Sequence, residues 1–210
     1  MPHSFIDIAT TSSVRAEQAA MGSADLWAGV RGGRNGDRFT ADEAAFIAAR
    51  DSFYIATASE TGWPYVQHRG GRRGFLKLAD ARTLAFADYR GNRQYISRGN
   101  LKADGRACLF LMDYARRARL KIYVHTEIVE PDADPALAAL VAMPGDETSC
   151  ERIFRLRLAA FDWNCSRHIT PRYTEREIAE AVRPLRLRVD ALESENAVLR
   201  ARLAGTGAAP

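Results

Sequence analysis

Four cations, Arg69, Arg72, Arg73 and Lys77, fall within nine residues of the segment Tyr65-Val66-Gln67-His68-Arg69-Gly70-Gly71-Arg72-Arg73-Gly74-Phe75-Leu76-Lys77. Guanidinium and ammonium groups at that density read as an anion site. The intervening glycines let a planar or phosphorylated ligand come close to the backbone. A second segment follows, Asp88-Tyr89-Arg90-Gly91-Asn92-Arg93-Gln94, whose glycine-containing turn leads into a predicted helix. A phosphate placed there meets backbone amides, the positive end of a helix and Arg93 together. Either segment alone reads as a solvated basic face, but two of them on successive strands of one sheet favour a bound anion.

Few other residues have chemical company. His68, beside the glycine pair, either hydrogen-bonds a ligand or packs on a neighbouring ring. Trp163 and Trp63 either stack on a bound ring system or sit in the core. No Ser-His-Asp or Cys-His set, carboxylate pair, dinucleotide fingerprint or phosphate-binding P-loop is readable, so no catalytic side chain is assigned and any chemistry must come from a cofactor. Cys108, Cys150 and Cys165 are odd in number and widely spaced, which reads as reduced thiols and no metal site.

The elements that position these residues follow from pattern. Thr40-Ala41-Asp42-Glu43 is a capping box ahead of Phe46 and Ile47, which predicts a helix over 41–50. From Ser52 the texture turns to strands. A hairpin joins 52–58 to 64–68 across Glu60-Thr61-Gly62-Trp63, and further runs lie at 74–78, 83–87, 107–113, 120–129 and 154–161. Short strands with few helices between them, only 94–103 and 135–142, argue an antiparallel barrel within a mainly β, α+β fold.

The segment from Phe53 to about Val129 resembles the pyridoxamine 5'-phosphate oxidase-like FMN-binding split-barrel family. Arg72 and Lys77 match its Arg-x-x-x-x-Lys strand, while Tyr89, Asn92, Arg93 and Asn100 fall at the spacing of its phosphate-binding turn, with Asn92 where the family often has Arg. The resemblance implies a six-stranded antiparallel split β-barrel, FMN as cofactor and a homodimer with a flavin site built from two chains. It implies Arg72, Lys77 and Arg93 for the phosphate. His68, Arg69, Gly70 and the Arg119-Leu120-Lys121 strand are implied for the flavin ring, with Tyr89, Asn92, Gln94 and Trp163 completing the cofactor set. Arg167, His168 and Arg172 are similar in type, though not in spacing, to the family's substrate-side cluster.

The expectation is therefore an FMN-dependent oxidoreductase that moves a hydride at flavin N5, with a small substrate and a nicotinamide or deazaflavin partner. The alternatives are a flavin carrier or sensor without turnover and a nucleic-acid binder. The last is disfavoured because basic and aromatic residues are not interleaved on one strand. The composition, 47% hydrophobic and 27% charged with net charge +4 over 210 residues, fits one domain with an appendage. Without an apolar run of membrane-spanning length or a signal-type leader, a cytoplasmic location with no membrane contact is expected.

The boundaries are read as an arm with one helix at 1–39, a barrel at 40–173 and a C-terminal helix with a disordered tail at 174–210. In the last segment Val182, Val189, Asn196 and Leu203 recur every seven residues, with Leu185, Leu192 and Leu199 three residues behind the first three. This is the pattern of a coiled coil between two chains, or of one amphipathic helix packed on its own barrel. Pro184 predicts a break near 182–184.

Overall fold

The computed structural model describes residues 4–28, 36–145, 150–163 and 166–206. The glycine-rich run at 31–35, residues 164 and 165, and the expected tail at 207–210 lie outside the described residues. By contact the chain divides into two units, Met1–Asp113 with Arg117–His168, and Tyr114–Arg116 with Ile169–Pro210.

The first unit is built on one antiparallel sheet of β1 (Ser52–Ala58), β2 (Pro64–Gly70), β3 (Lys77–Asp80), β4 (Thr83–Tyr89), β5 (Arg106–Asp113), β6 (Ala118–Val129) and β7 (Cys150–Trp163). Their order is β2-β1-β5-β6-β7-β4-β3. The sheet among the described residues has seven strands where the resemblance implies six, one for each of the seven runs read from the sequence. The run expected at 74–78 becomes the short edge strand β3, which starts at Lys77 because Gly74 turns the chain at φ 78° while Phe75 and Leu76 bury.

The sheet curls so that residues far apart in its order share one core. Phe53 of β1 meets Phe86 of β4 edge to face at 5.4 Å, and Phe86 stacks on Phe154 of β7 at 4.9 Å. Alternate residues of β5 and β6, among them Leu109, Leu111, Leu120 and Ile122, join them at 0% exposure. The edge strands β2 and β3 share no ladder, so the barrel is split. Ala85, Ala87 and Ile153 face outward beneath Leu137 and Val141 of the helix Pro135–Val141, which explains why β4 is apolar on both faces.

The other helices of this unit are short. Where one helix was expected in the N-terminal arm, three occur among its described residues: α1 (Phe5–Ala9), α2 (Ser12–Ala20) and α3 (Ala24–Ala28), the second ending before Gly22 at φ 67°. Phe5 stacks on Tyr123 of β6 at 4.5 Å. Helix α4 (Ala41–Ala48) starts at the predicted capping box and buries Ile47 fully. Helix α5 (Ile96–Ala103) is pinned to the sheet by two side-chain bonds, Asn100 Nδ2 to Thr57 Oγ1 at 3.0 Å and Ser97 Oγ to Gln67 Oε1 at 2.7 Å. The helix over 135–141 takes the label α6.

In the second unit α7 (Glu175–Thr206) runs unbroken through Pro184, contrary to the expected break. Proline there removes a single amide donor from a 32-residue helix, and the remaining hydrogen bonds carry the chain past it. A capping box opens the helix, with Glu177 N donating to Thr174 Oγ1 and Thr174 N to Glu177 Oε2.

Two glycines separate packing from propensity. A Cβ at Gly71 would lie 2.8 Å from Cγ of the buried Phe75, so Gly71→Ala is expected to lose about 1–3 kcal/mol by forcing that ring to move. Gly99, inside α5, meets nothing within 4 Å, so Gly99→Ala is expected to gain about 0.5–1 kcal/mol from helix propensity. Urea denaturation of both variants checks the opposite signs.

Candidate functional site

The site grows from one buried carboxylate. Asp88, near the end of β4, is 6% exposed and accepts from Arg69 Nη1 of β2 at 2.5 Å and from Arg152 Nη1 of β7 at 2.6 Å. Arg152 stands directly across the ladder from Asp88, and the register shifts at the next pair, leaving Glu151 as a bulge. Arg152 Nη2 bonds that Glu151 at 2.5 Å, and the Tyr95 hydroxyl donates to the same carboxylate at 3.2 Å. The Arg69 guanidinium lies over the rings of Phe154 and Phe86 at 5.3 and 5.7 Å. Its Nε is buried with no hydrogen-bond partner.

Above this floor lies a groove of about 190 Å³. Alternation along β2 turns Tyr65, Gln67 and Arg69 into it, the end of β4 adds Asp88 and Tyr89, and the chain from Gly91 to Arg98 forms its rim. Four arginines, Arg69, Arg93, Arg98 and Arg152, line it against the single carboxylate of Asp88. The rim is strained, since Arg93 at φ 64° and Tyr95 at φ 54° both take the left-handed conformation that costs a non-glycine residue about 1–2 kcal/mol. Asn92 Oδ1 fixes the turn by accepting from Gln94 N at 3.1 Å. Tyr95 is the N-cap of α5 and offers no side-chain hydrogen bond to its first amides. Uncapped amides, the positive helix end and two rim arginines converge there, which is an environment for a phosphate.

Of the sequence candidates, Arg69, Tyr89, Asn92, Arg93 and Gln94 come together in the groove. Tyr65, Gln67, Asp88, Tyr95, Ser97, Arg98 and Arg152 join them without having been singled out. Alternation along β2 was the readable signal for Tyr65 and Gln67; nothing local pointed to Arg152. His68 faces the opposite side of β2 and packs edge to face on Tyr54 at 5.5 Å. The space at Gly70 is used by that ring, because a Cβ there would lie 2.9 Å from His68 Cε1. Arg72 is exposed with its guanidinium beside Gly145, and Lys77 is half-buried opposite Ala85, both outside the groove lining.

A sequence model of the family described as pyridoxamine 5'-phosphate oxidase matches residues 39–149, more than half of the chain. The chain belongs to the pyridoxamine 5'-phosphate oxidase family. No curated protein matches it in sequence. Three solved structures are similar in part. HupZ of Group A Streptococcus is 15% identical, with 59% of this chain and 92% of that one covered at a TM-score of 0.48. A Clostridium acetobutylicum protein related to general stress protein 26 is 15% identical, covering 61% and 88% at 0.46. An FMN-binding protein from Syntrophomonas wolfei is 14% identical, covering 73% and 95% at 0.44.

The remaining candidates lie elsewhere on this pyridoxamine 5'-phosphate oxidase family chain. Arg119 and Lys121 project from the outer face of β6, with Arg119 Nε buried and unpartnered. Cys108 shares that face. Its thiol is pushed up by burial, against a smaller opposite pull from Lys121. Arg167 and His168 close the first unit, His168 at φ 61°, while Arg172 belongs to the second, where its guanidinium lies over the Tyr114 ring at 5.1 Å. Trp163 is engaged within its own chain, donating from Nε1 to Glu43 Oε1 at 2.7 Å and packing edge to face on Phe46. Trp63 is exposed.

Glu43 therefore caps α4 and holds Trp163 at once. Burial raises its pKa, but the bonds from Thr40 and Trp163 outweigh that and hold the carboxyl below its ordinary value of 4.5. A depressed carboxylate contributes stability that is present above the unfolded-state value and disappears as pH falls through the folded one. Unfolding free energy measured from about pH 6 to pH 3 is expected to fall more steeply in wild type than in Glu43→Gln. Parallel curves would contradict the assignment.

Proposed function

We propose that this chain is an FMN-binding flavoprotein and an FMN-dependent oxidoreductase, working as a homodimer on a small substrate at the interface between two copies. One observation carries the reading: a groove with four arginines against one carboxylate, whose rim is an uncapped helix start held in strained backbone. A phosphomonoester dianion fits that donor set, and family membership supplies FMN as the ligand bearing one. Arg93, Arg98 and the first amides of α5 would take the phosphate. Gln67 and Ser97 offer hydrogen bonds to a polyol chain. Arg69 and Arg152, held by Asp88 and Glu151, would form a fixed floor beneath, which needs no reorganisation when an anion arrives.

The groove is smaller than the roughly 300–1,000 Å³ of a complete small-molecule site, so it suits the phosphate end of the ligand and leaves the ring to be covered from elsewhere. Arg119 and Lys121 on the outer face of β6 are placed to serve a second copy in that way, bringing positive charge to the ring edge. When bound, FMN supplies a ring whose N5 accepts or donates a hydride. This chain's part is to bind, orient and lend positive charge; no side chain of the groove is assigned as an acid or base. Among the described residues no helix is long and apolar enough to cross a membrane.

Two measurements test the proposal. Arg93→Ala is expected to weaken FMN binding by on the order of 10- to 100-fold, the equivalent of one charge-assisted contact, with unchanged circular dichroism. Arg72→Ala, at an exposed position outside the groove, is expected to change it little; the reverse ranking would move the phosphate to the Arg72–Lys77 strand. Anaerobic mixing of the yellow protein with NADH, NADPH or a reduced deazaflavin should bleach the flavin with at least one of them. A flavin that all three leave oxidised would favour the carrier or sensor reading.

A further inference from the structure

The C-terminal helix presents a surface that the flavin site does not use. Val182, Leu185, Val189, Leu192, Asn196, Leu199 and Leu203 alternate three and four residues apart, and because α7 passes unbroken through Pro184 they form one continuous stripe. The stripe is solvent-facing, with Leu185 68% and Leu203 73% exposed. Ile178 extends it at the N-terminal end, and of the exposed large apolar side chains on α7 only Leu187 and Val198 lie off it. With Val182 at position a, the leucines fall at d and Pro184 at c, outside the seam.

We infer that α7 is one strand of a parallel, in-register, two-stranded coiled coil formed with a second copy of this chain. The charges beside the stripe complement one another across a pair of such helices, and one polar seam residue sets their direction. In a parallel pair, residues at g face residues at e of the next heptad across the seam, so Arg188 meets the partner's Glu193 and Glu195 meets the partner's Arg200, each pair occurring twice by symmetry. An antiparallel pair that kept the stripe overlapped from 178 to 203 would set g against g and e against e, and Arg188 would face the partner's Glu195 and Arg186 the partner's Glu193, so the charges fit that arrangement as well.

Asn196 decides the direction. Only the parallel register places it against the partner's Asn196, where two amides satisfy each other; the overlapped antiparallel one places it against the partner's Leu185, with no polar partner across the seam. Its Nδ2 already donates one hydrogen to the Leu192 carbonyl of its own helix at 3.1 Å, which leaves the second for the partner. A buried asparagine at one a position costs stability and excludes slipped and higher-order pairings. The inference does not depend on the flavin.

Disulfide trapping on the full-length protein tests it. Leu185→Cys and Leu199→Cys, each alone in a glutathione redox buffer, are expected to form covalent homodimer many-fold faster than Ser194→Cys at the outward f position. The parental chain, with its three native cysteines, sets the background. Cross-linking at 185 or 199 no faster than at 194 would overturn the proposal, whether α7 is covered by its own chain or by a different protein. Cross-linking confined to a mixture of Val182→Cys with Leu199→Cys would overturn it in favour of antiparallel pairing. Flavin content of these variants should equal that of the parent, so failure here and failure of the flavin assignment are separable.

Discussion

The fold and the groove both depend on Asp88. In the order of the sheet, β2 and β4 are separated by four other strands, yet the curl brings them together, and the contact that fixes them is a carboxylate shared by Arg69 and Arg152. Two guanidiniums and one carboxylate, all nearly buried, are tolerable only as a set, because any member left alone would keep its desolvation penalty without its partner. The set therefore ties β2 to β4, between which no backbone ladder runs. Glu151 balances the set on the other side of Arg152, so the excess positive charge facing the groove is that of Arg93 and Arg98 on the rim, while Arg69 Nε is left unpaired. A bound anion would complete what the protein leaves uncompensated.

The rim follows from the same geometry. Beyond Asp88 the β4–β7 ladder loses register and the chain leaves the sheet through Gly91 and Asn92. Arg93 and Tyr95 turn left-handed before α5 begins. The helix is held from the sheet side, by Ser97 to Gln67 and Asn100 to Thr57, so its uncapped start is fixed relative to the arginines beneath. Strain in the turn is balanced by bonds made elsewhere, which is the usual arrangement where backbone must meet a ligand.

Much of this was legible locally. The capping boxes at Thr40–Glu43 and Thr174–Glu177, the hairpin, the strand alternation and the Arg93 turn are all written within a few adjacent residues. What depended on distance was not. Arg152 lies 64 residues from Asp88 and Trp163 lies 120 from Glu43, and no spacing rule reaches so far. Gly70 and Gly71 correctly signalled a close approach, but it is His68 and Phe75 that approach, since a missing side chain marks needed space without naming the occupant. Pro184 was read as a break because local rules weigh the lost hydrogen bond and not the length of helix around it.

The central claim is that the groove grips a phosphate, and the affinity of the wild-type protein for FMN relative to riboflavin bears on it most directly. The two ligands share ring and ribityl chain and differ only in the phosphate. With two charge-assisted contacts of about 1.5–3 kcal/mol each, FMN should bind at least on the order of 100-fold more tightly. Equal affinity for the two would contradict the account.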